Sequence, residues 1–187
     1  MDEWVDIWTD DGKPTGRSIL KSEAHRKGVF HPTVHLWIYN SLKQVLFQKR
    51  ACSKMTFPGK WDVSVAGHIT SGDDAPETAV REAREELGLS LKSTDLKWIG
   101  MHPSKTVHAE DVIDNEFHHI YCIECDFSEK DLALQKEEVE EACWFPFSTL
   151  EAMQDPDHFD EVFVPFDPAY LKLVIHHLTS IFQKKTP

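Results

Sequence analysis

The chain has 187 residues, 41% of them hydrophobic and 28% charged, enough for a single domain with a sizeable core. Its 32 acidic against 20 basic residues leave a formal charge of −12, which argues against binding nucleic-acid polymers or anionic membranes. No apolar run approaches the ~18 residues of a membrane span, and the acidic N-terminus MDEWVDIWTDD lacks the pattern of a signal peptide.

Residues 3–8 alternate like a strand, DDGKPTG is a turn, and residues 17–20 return as a second strand, so the chain is expected to open with a hairpin. Residues 21–27 read as a short helix. Residues 31–40 form a strongly apolar strand, with a turn at 41–43 and a partner strand at 44–50. A loop rich in Pro, Gly and aromatic residues covers 51–62, and a short strand at 63–66 leads into Gly67. Strands are expected at 96–105 and 116–127, joined by the acidic linker VHAEDVIDN. A further strand at 142–147 opens into a helix. An aromatic, Pro-punctuated loop (155–168) precedes a final amphipathic helix at 168–185. Cys122 and Cys125 are spaced C-x-x-C but fall in a strand, where they point to opposite faces. No second pair completes a zinc site, so all four cysteines are expected to be reduced thiols in a cytoplasmic protein.

The most informative stretch is Gly67 to Leu89, GHITSGDDAPETAVREAREELGL. Asp74 is a good N-cap, with Glu77 completing a capping-box spacing. Pro76 is tolerated in the first turn, and Gly88 falls where a left-handed residue ends a helix. Ala79, Val80, Ala83 and Leu87 make an apolar stripe for docking. Glu82, Glu85 and Glu86 stand at i, i+3 and i+4, which at about 100° per residue gathers them on one face. Like charges that close call for a neutralising partner, and a hard divalent cation, Mg²⁺ or Mn²⁺, prefers oxygen ligands. Arg81, four residues before Glu85, can hold that carboxylate.

The spaced pattern resembles the Nudix box: Gly67, five residues, Asp73, seven residues, Arg81-Glu82-Ala83-Arg84-Glu85-Glu86-Leu87-Gly88-Leu89. Asp73 stands where the family has Glu, and small Ala83 takes an apolar position. The surroundings resemble the branch that includes type I isopentenyl-diphosphate isomerases. The shared features are His31, Gln48-Lys49-Arg50, the loop from Ser53 to Trp61, Ser64-Val65-Ala66-Gly67-His68, and Asp114-Asn115-Glu116. Isomerases carry a proton-transferring cysteine immediately before the Gly-His pair; this chain has Ala66, which has no titratable group.

The resemblance implies an α/β Nudix fold: a mixed sheet sandwiched between helices, spanning 1–187 as one domain, with 1–28 as an N-terminal hairpin extension. It implies a divalent-metal-dependent hydrolase of a small-molecule diphosphate, a nucleoside di- or triphosphate or similar compound; the sequence leaves monomer and homodimer both open. Alternatives are an isomerase-like enzyme or a silent binding module. Glu82, Glu85 and Glu86 would hold Mg²⁺ or Mn²⁺, with the Gly67 carbonyl and Glu116 as further ligands. Glu116 is also the first choice of general base, ahead of Asp114, Glu110 and Asp111. Arg50, Lys60 and Trp61 are candidate substrate contacts, with Arg81 and Asp73 in support. His25, His31 and His68 would form an accessory metal site. His118-His119 and His176-His177 read as structural or exposed, and Trp37, Phe57 and Phe166 as stacking or core residues.

Overall fold

The computed structural model describes residues 2–155 and 160–184, so part of the 155–168 loop and the last residue of the expected final helix lie outside the described residues. The chain opens with a two-stranded antiparallel hairpin, β1 (Trp4–Trp8) and β2 (Pro14–Leu20), followed by α1 (Lys21–Lys27). The second strand starts three residues before the expected Arg17. Then come β3 (His31–Tyr39), β4 (Gln44–Arg50), β5 (Trp61–Asp62), β6 (Val65–His68) and α2 (Ala75–Leu87). The long strands β7 (Lys97–Ala109) and β8 (Val112–Glu124) precede β9 (Val139–Pro146), α3 (Phe147–Ala152) and α4 (Pro168–Lys184).

The main sheet is mixed. β3 lies at its centre, parallel to β8 and antiparallel to β6, while β4 carries β5 and β9. β3 and β4, expected as simple hairpin partners, share only the register pair Tyr39–Val45. β4 makes its long ladder with β9 instead.

Period-two alternation sorts the side chains of β3 onto two faces. Val34, Leu36 and Ile38 pack with Leu46 and Val65 against Ala79, Ala83 and Leu87 of α2. Trp37 and Tyr39 pack on the opposite face with Val45, Phe47 and the α4 residues Tyr170, Leu171, Val174 and Leu178. The sheet is therefore covered by α2 on one side and α4 on the other. His31, Thr33 and His35 share the α4 face, where His35 meets Tyr170 of α4.

Two local expectations change. Residues 107–115 are the tip of the β7–β8 hairpin rather than a free linker, with Val107 paired to Ile113 and Thr106 to Asp114. Asp74 does occupy the N-cap of α2 in extended backbone, but its side chain caps nothing. Glu77 instead accepts a hydrogen bond from Ser93 Oγ. The helix ends as expected at left-handed Gly88 (φ 73°), whose N–H donates to Arg84. Within the apolar stripe, Val80 is only half-buried and Thr78 is buried in its place.

Candidate active site

β6 and α2 build the first half of the site. β6 passes so close to α2 that a Cβ at Gly67 would collide with the Glu82 carboxyl group. Glycine is required here by contact rather than by backbone angle. Arg81 binds Glu82 at 2.8 Å and Glu85 at 2.9 Å, which confirms the expected Arg81–Glu85 contact and adds a second. Glu86 is buried, with only long contacts at 3.3 Å from Gln48 Nε2 and 3.4 Å from the Ala66 N–H. Burial, opposed by Arg81 and reinforced by Glu85, raises the Glu82 carboxyl to about 7. Burial raises Glu86 well above the usual carboxylate range, and the negative charge of Glu82 adds to it. Two desolvated carboxylates on one helix face, Glu82 paired with Arg81 and Glu86 with no ion-pair partner among the described residues, are a donor set that a hard divalent cation fits. Asp73 is exposed in the turn before α2.

The second half lies on the α4 face. His25 from α1, His31 from β3, His68 from β6 and Glu116 from β8 each offer a ligand atom, all within 4.8 Å of one another. Glu116 is 3.3 Å from His68 Nε2 and 3.6 Å from His31 Nε2. Burial alone would raise its pKa, but these histidines outweigh that and hold it well below the usual range. Burial, with the fields of His68 and His31, lowers His25 to about 4, which leaves a neutral imidazole able to act as a ligand. His31 Nε2 and Asp114 Oδ1 are buried without a hydrogen-bond partner. Such orphaned polar atoms in a nitrogen-and-oxygen cage fit a bound cation. His25, His31 and His68 thus come together as expected, and β6 separates them from the α2 carboxylates.

A cavity of about 650 Å³ extends from this cluster. Gly67, Lys54, Glu137 and Glu138 line it, together with Phe57, His108, Phe166 and Tyr170. Phe57 packs edge-on against His108 at 4.9 Å, so the 51–60 loop meets the β7–β8 hairpin over the opening.

The expected substrate contacts fare unevenly. Arg50 lines the cavity, yet its guanidinium is already committed to the Thr56 carbonyl (2.9 Å), Thr56 Oγ1 (3.0 Å) and Asp62 (2.9 Å). It holds the 51–60 loop in shape. Lys60 and Trp61 do not line the cavity; Trp61 packs against Phe145. Trp37 is fully buried, whereas Phe57 and Phe166 reach the cavity. Asp111 and Asp114 line it from the hairpin, and Glu110 does not. His118, read as structural or exposed, is buried and forms part of the cavity wall.

Two contributors escaped the sequence reading. Glu138 precedes β9, pairs with Lys54, and is close enough to raise the pKa of Glu86. His35 continues the alternation His31, Thr33, His35 along β3 and lines the cavity. A polar period-two series inside an otherwise apolar strand is the signal that could have found it.

Residues 29–166 match the family model of the NUDIX domain. Nudix hydrolase 3 of Arabidopsis thaliana is 34% identical over 170 residues, which cover 89% of this chain and 22% of that protein's length. An isopentenyl-diphosphate Delta-isomerase of Mycolicibacterium vanbaalenii is 27% identical over 151 residues, covering 80% of this chain and 81% of that protein. A crystal structure of a Deinococcus radiodurans protein superposes with a TM-score of 0.60 at 25% identity, over 80% of this chain and 87% of that one. Among the described residues no helix is long and apolar enough to cross a membrane. Box, fold and relatives agree that the chain belongs to the Nudix hydrolase family, on its isopentenyl-diphosphate-isomerase-like branch.

Proposed function

We propose that this chain is a divalent-cation-dependent hydrolase that splits a diphosphate linkage in a small molecule, a nucleoside di- or triphosphate or a related X-linked diphosphate. The observation that carries this reading is the pair of desolvated carboxylates on one face of α2: Glu82, packed against Gly67 and paired with Arg81, and Glu86, buried with no ion-pair partner among the described residues. Mg²⁺ or Mn²⁺ bound there would neutralise phosphate charge and lower the pKa of water.

The protein's own groups take defined roles. Glu82, Glu85 and Glu86, with the Gly67 carbonyl, hold the cation, and Arg81 fixes the orientation of two of the three carboxylates. Glu116 joins His25, His31 and His68 as a ligand of the accessory site, because its contacts with His31 and His68 leave it poorly placed to take a proton from water. Glu138, outside α2 yet within the field of Glu86, is the carboxylate we assign as general base. Lys54, which borders the cavity beside it, meets the anionic substrate.

The histidine cluster favours a second reading, isomerisation of an isoprenoid diphosphate. Ala66 weighs against it, since no acid stands at the position where an isomerase supplies its proton.

A phosphate- and pyrophosphate-release screen with Mg²⁺ and Mn²⁺ tests the proposal. It would cover nucleoside di- and triphosphates, dinucleoside polyphosphates, nucleotide sugars and isopentenyl diphosphate. Turnover of a nucleotide that is lost in Glu85→Gln supports hydrolysis. Metal binding without release from any compound contradicts it.

A further inference from the structure

We infer that His35 is a specificity-determining residue: a hydrogen-bond donor of fixed tautomer that selects substrates whose X group carries an uncharged acceptor on a flat ring. This rests on the cavity being the site of an X-linked diphosphate.

The tautomer follows from counting protons. The indole N–H of Trp37 can only donate, and it lies 2.9 Å from Tyr170 Oη. The same phenol oxygen lies 2.8 Å from His35 Nδ1. Tyr170 is buried, and burial keeps its phenol protonated by raising its pKa well above the ordinary value. It has one proton to give. Having accepted from Trp37, it satisfies that proton only by donating to His35 Nδ1, because a buried hydroxyl left without an acceptor is costly. A neutral imidazole that accepts at Nδ1 carries its hydrogen on Nε2. Burial, the largest influence on His35, lowers its pKa to about 4 and so keeps the ring neutral near pH 7. The relay Trp37–Tyr170–His35 therefore ends in an Nε2–H donor, and the hydrogen bonds of the described residues give that atom no protein partner.

The surroundings define what such a donor meets. His35 lines the cavity and stacks on His118 with ring centroids 4.0 Å apart and planes at 19°. Phe166 lies almost parallel to Tyr170, at 5° and 5.7 Å, and lines the same cavity. These flat aromatic walls suit a planar ring. His35 stands across from Ala66 of β6, next to Gly67, and lines the cavity with Tyr170 and Phe166, so the part of the substrate held between these rings meets its Nε2–H. An apolar tail placed there would leave the donor unpaired. Discrimination against a ligand lacking a hydrogen-bonding group can far exceed that from one missing methylene. The chemical class that answers these demands is a nucleobase-type heterocycle with a ring nitrogen or carbonyl acceptor.

Two measurements on the full chain test this. Long-range ¹H–¹⁵N correlation NMR of the wild-type protein at pH 7 should show His35 as the Nε2–H tautomer; an Nδ1–H tautomer or an imidazolium would overturn the inference. Binding of non-hydrolysable probes with Mg²⁺ is the second. Adenosine and uridine α,β-methylene diphosphates should bind at least about tenfold more tightly than methylenediphosphonate, which has no X group. The ratio of those affinities should fall about tenfold in His35→Phe and recover in part in His35→Gln, which retains an N–H donor. An equal ratio in wild type and His35→Phe, or an isopentenyl analogue that binds as tightly as the nucleoside ones, would refute the role of His35. Methylenediphosphonate bound without any nucleoside preference defeats this subsite and leaves the diphosphate reading standing. Failure of every diphosphonate to bind defeats both.

Discussion

The carboxyl group of Glu82 occupies the space that a side chain on Gly67 would need. This contact joins the edge strand β6 to the carboxylate face of α2. Gly67→Ala should therefore displace Glu82 while leaving the hydrophobic layers in place. Overpacking of this kind costs about 1–3 kcal/mol. The expected outcome is a folded variant whose Mn²⁺ affinity and kcat/KM both fall at least about tenfold. Calorimetric titration and steady-state assays check it, and unchanged metal affinity would show that the close approach serves packing alone.

The raised pKa of Glu82 gives a signed dependence of stability on pH. The folded protein holds this proton up to about 7, whereas the ordinary model value is 4.5. In metal-free protein its contribution to stability is thus fully present below about 4.5 and lost as pH rises through 7. Glu82→Gln removes the buried charge. Without metal at pH 8 it should be more stable than wild type by on the order of 2 kcal/mol, with the gap closing toward pH 4. Saturating Mn²⁺ should reverse the order, because the wild type alone keeps all its ligands. Denaturant unfolding across this pH range, with and without metal, provides the check.

Arg50 illustrates a residue whose type was legible and whose role was not. Its guanidinium ties Thr56 to Asp62, and the Asp62 side chain is only 10% exposed. Arg50→Ala should cost about 3 kcal/mol by leaving a buried carboxylate unpaired. Arg50→Lys should recover little, since an ammonium cannot reproduce the fork. A rise in KM with no loss of stability would instead make Arg50 a direct phosphate contact.

Glu116 and Glu138 separate the two halves of the site. Glu138→Gln should lower kcat by about 10²–10⁴-fold, the usual scale of a general base, while Mn²⁺ affinity stays within twofold. Glu116→Gln should weaken metal binding at the histidine cluster by about tenfold or more. The reverse pattern would return the base to Glu116.

The box made much of α2 legible because its chemistry is local in sequence. Glu82, Glu85 and Glu86 share a face through helical periodicity alone, and Gly88 ends the helix through its own backbone freedom. The remaining parts depend on contacts between distant segments. Asp74 and Glu77 have capping-box spacing, but Ser93 draws Glu77 away. His35 gains meaning only from Tyr170, which lies 135 positions later. Glu138 is one acid in a charged run until β9 sets it beside Lys54 and the field of Glu86. His118 and His119 are neighbours in β8, yet only His118 lines the cavity, and that follows from how distant segments pack over the sheet rather than from the strand pattern.

The most direct test of the central claim is ³¹P NMR of turnover in H₂¹⁸O, using the substrate that the release screen identifies and Mg²⁺ or Mn²⁺. Water attack on a diphosphate linkage is expected to place one ¹⁸O in a single phosphate product, visible as an upfield isotope shift and absent with Glu85→Gln. Release of phosphate or pyrophosphate with no ¹⁸O in any phosphate product would contradict water attack on phosphorus.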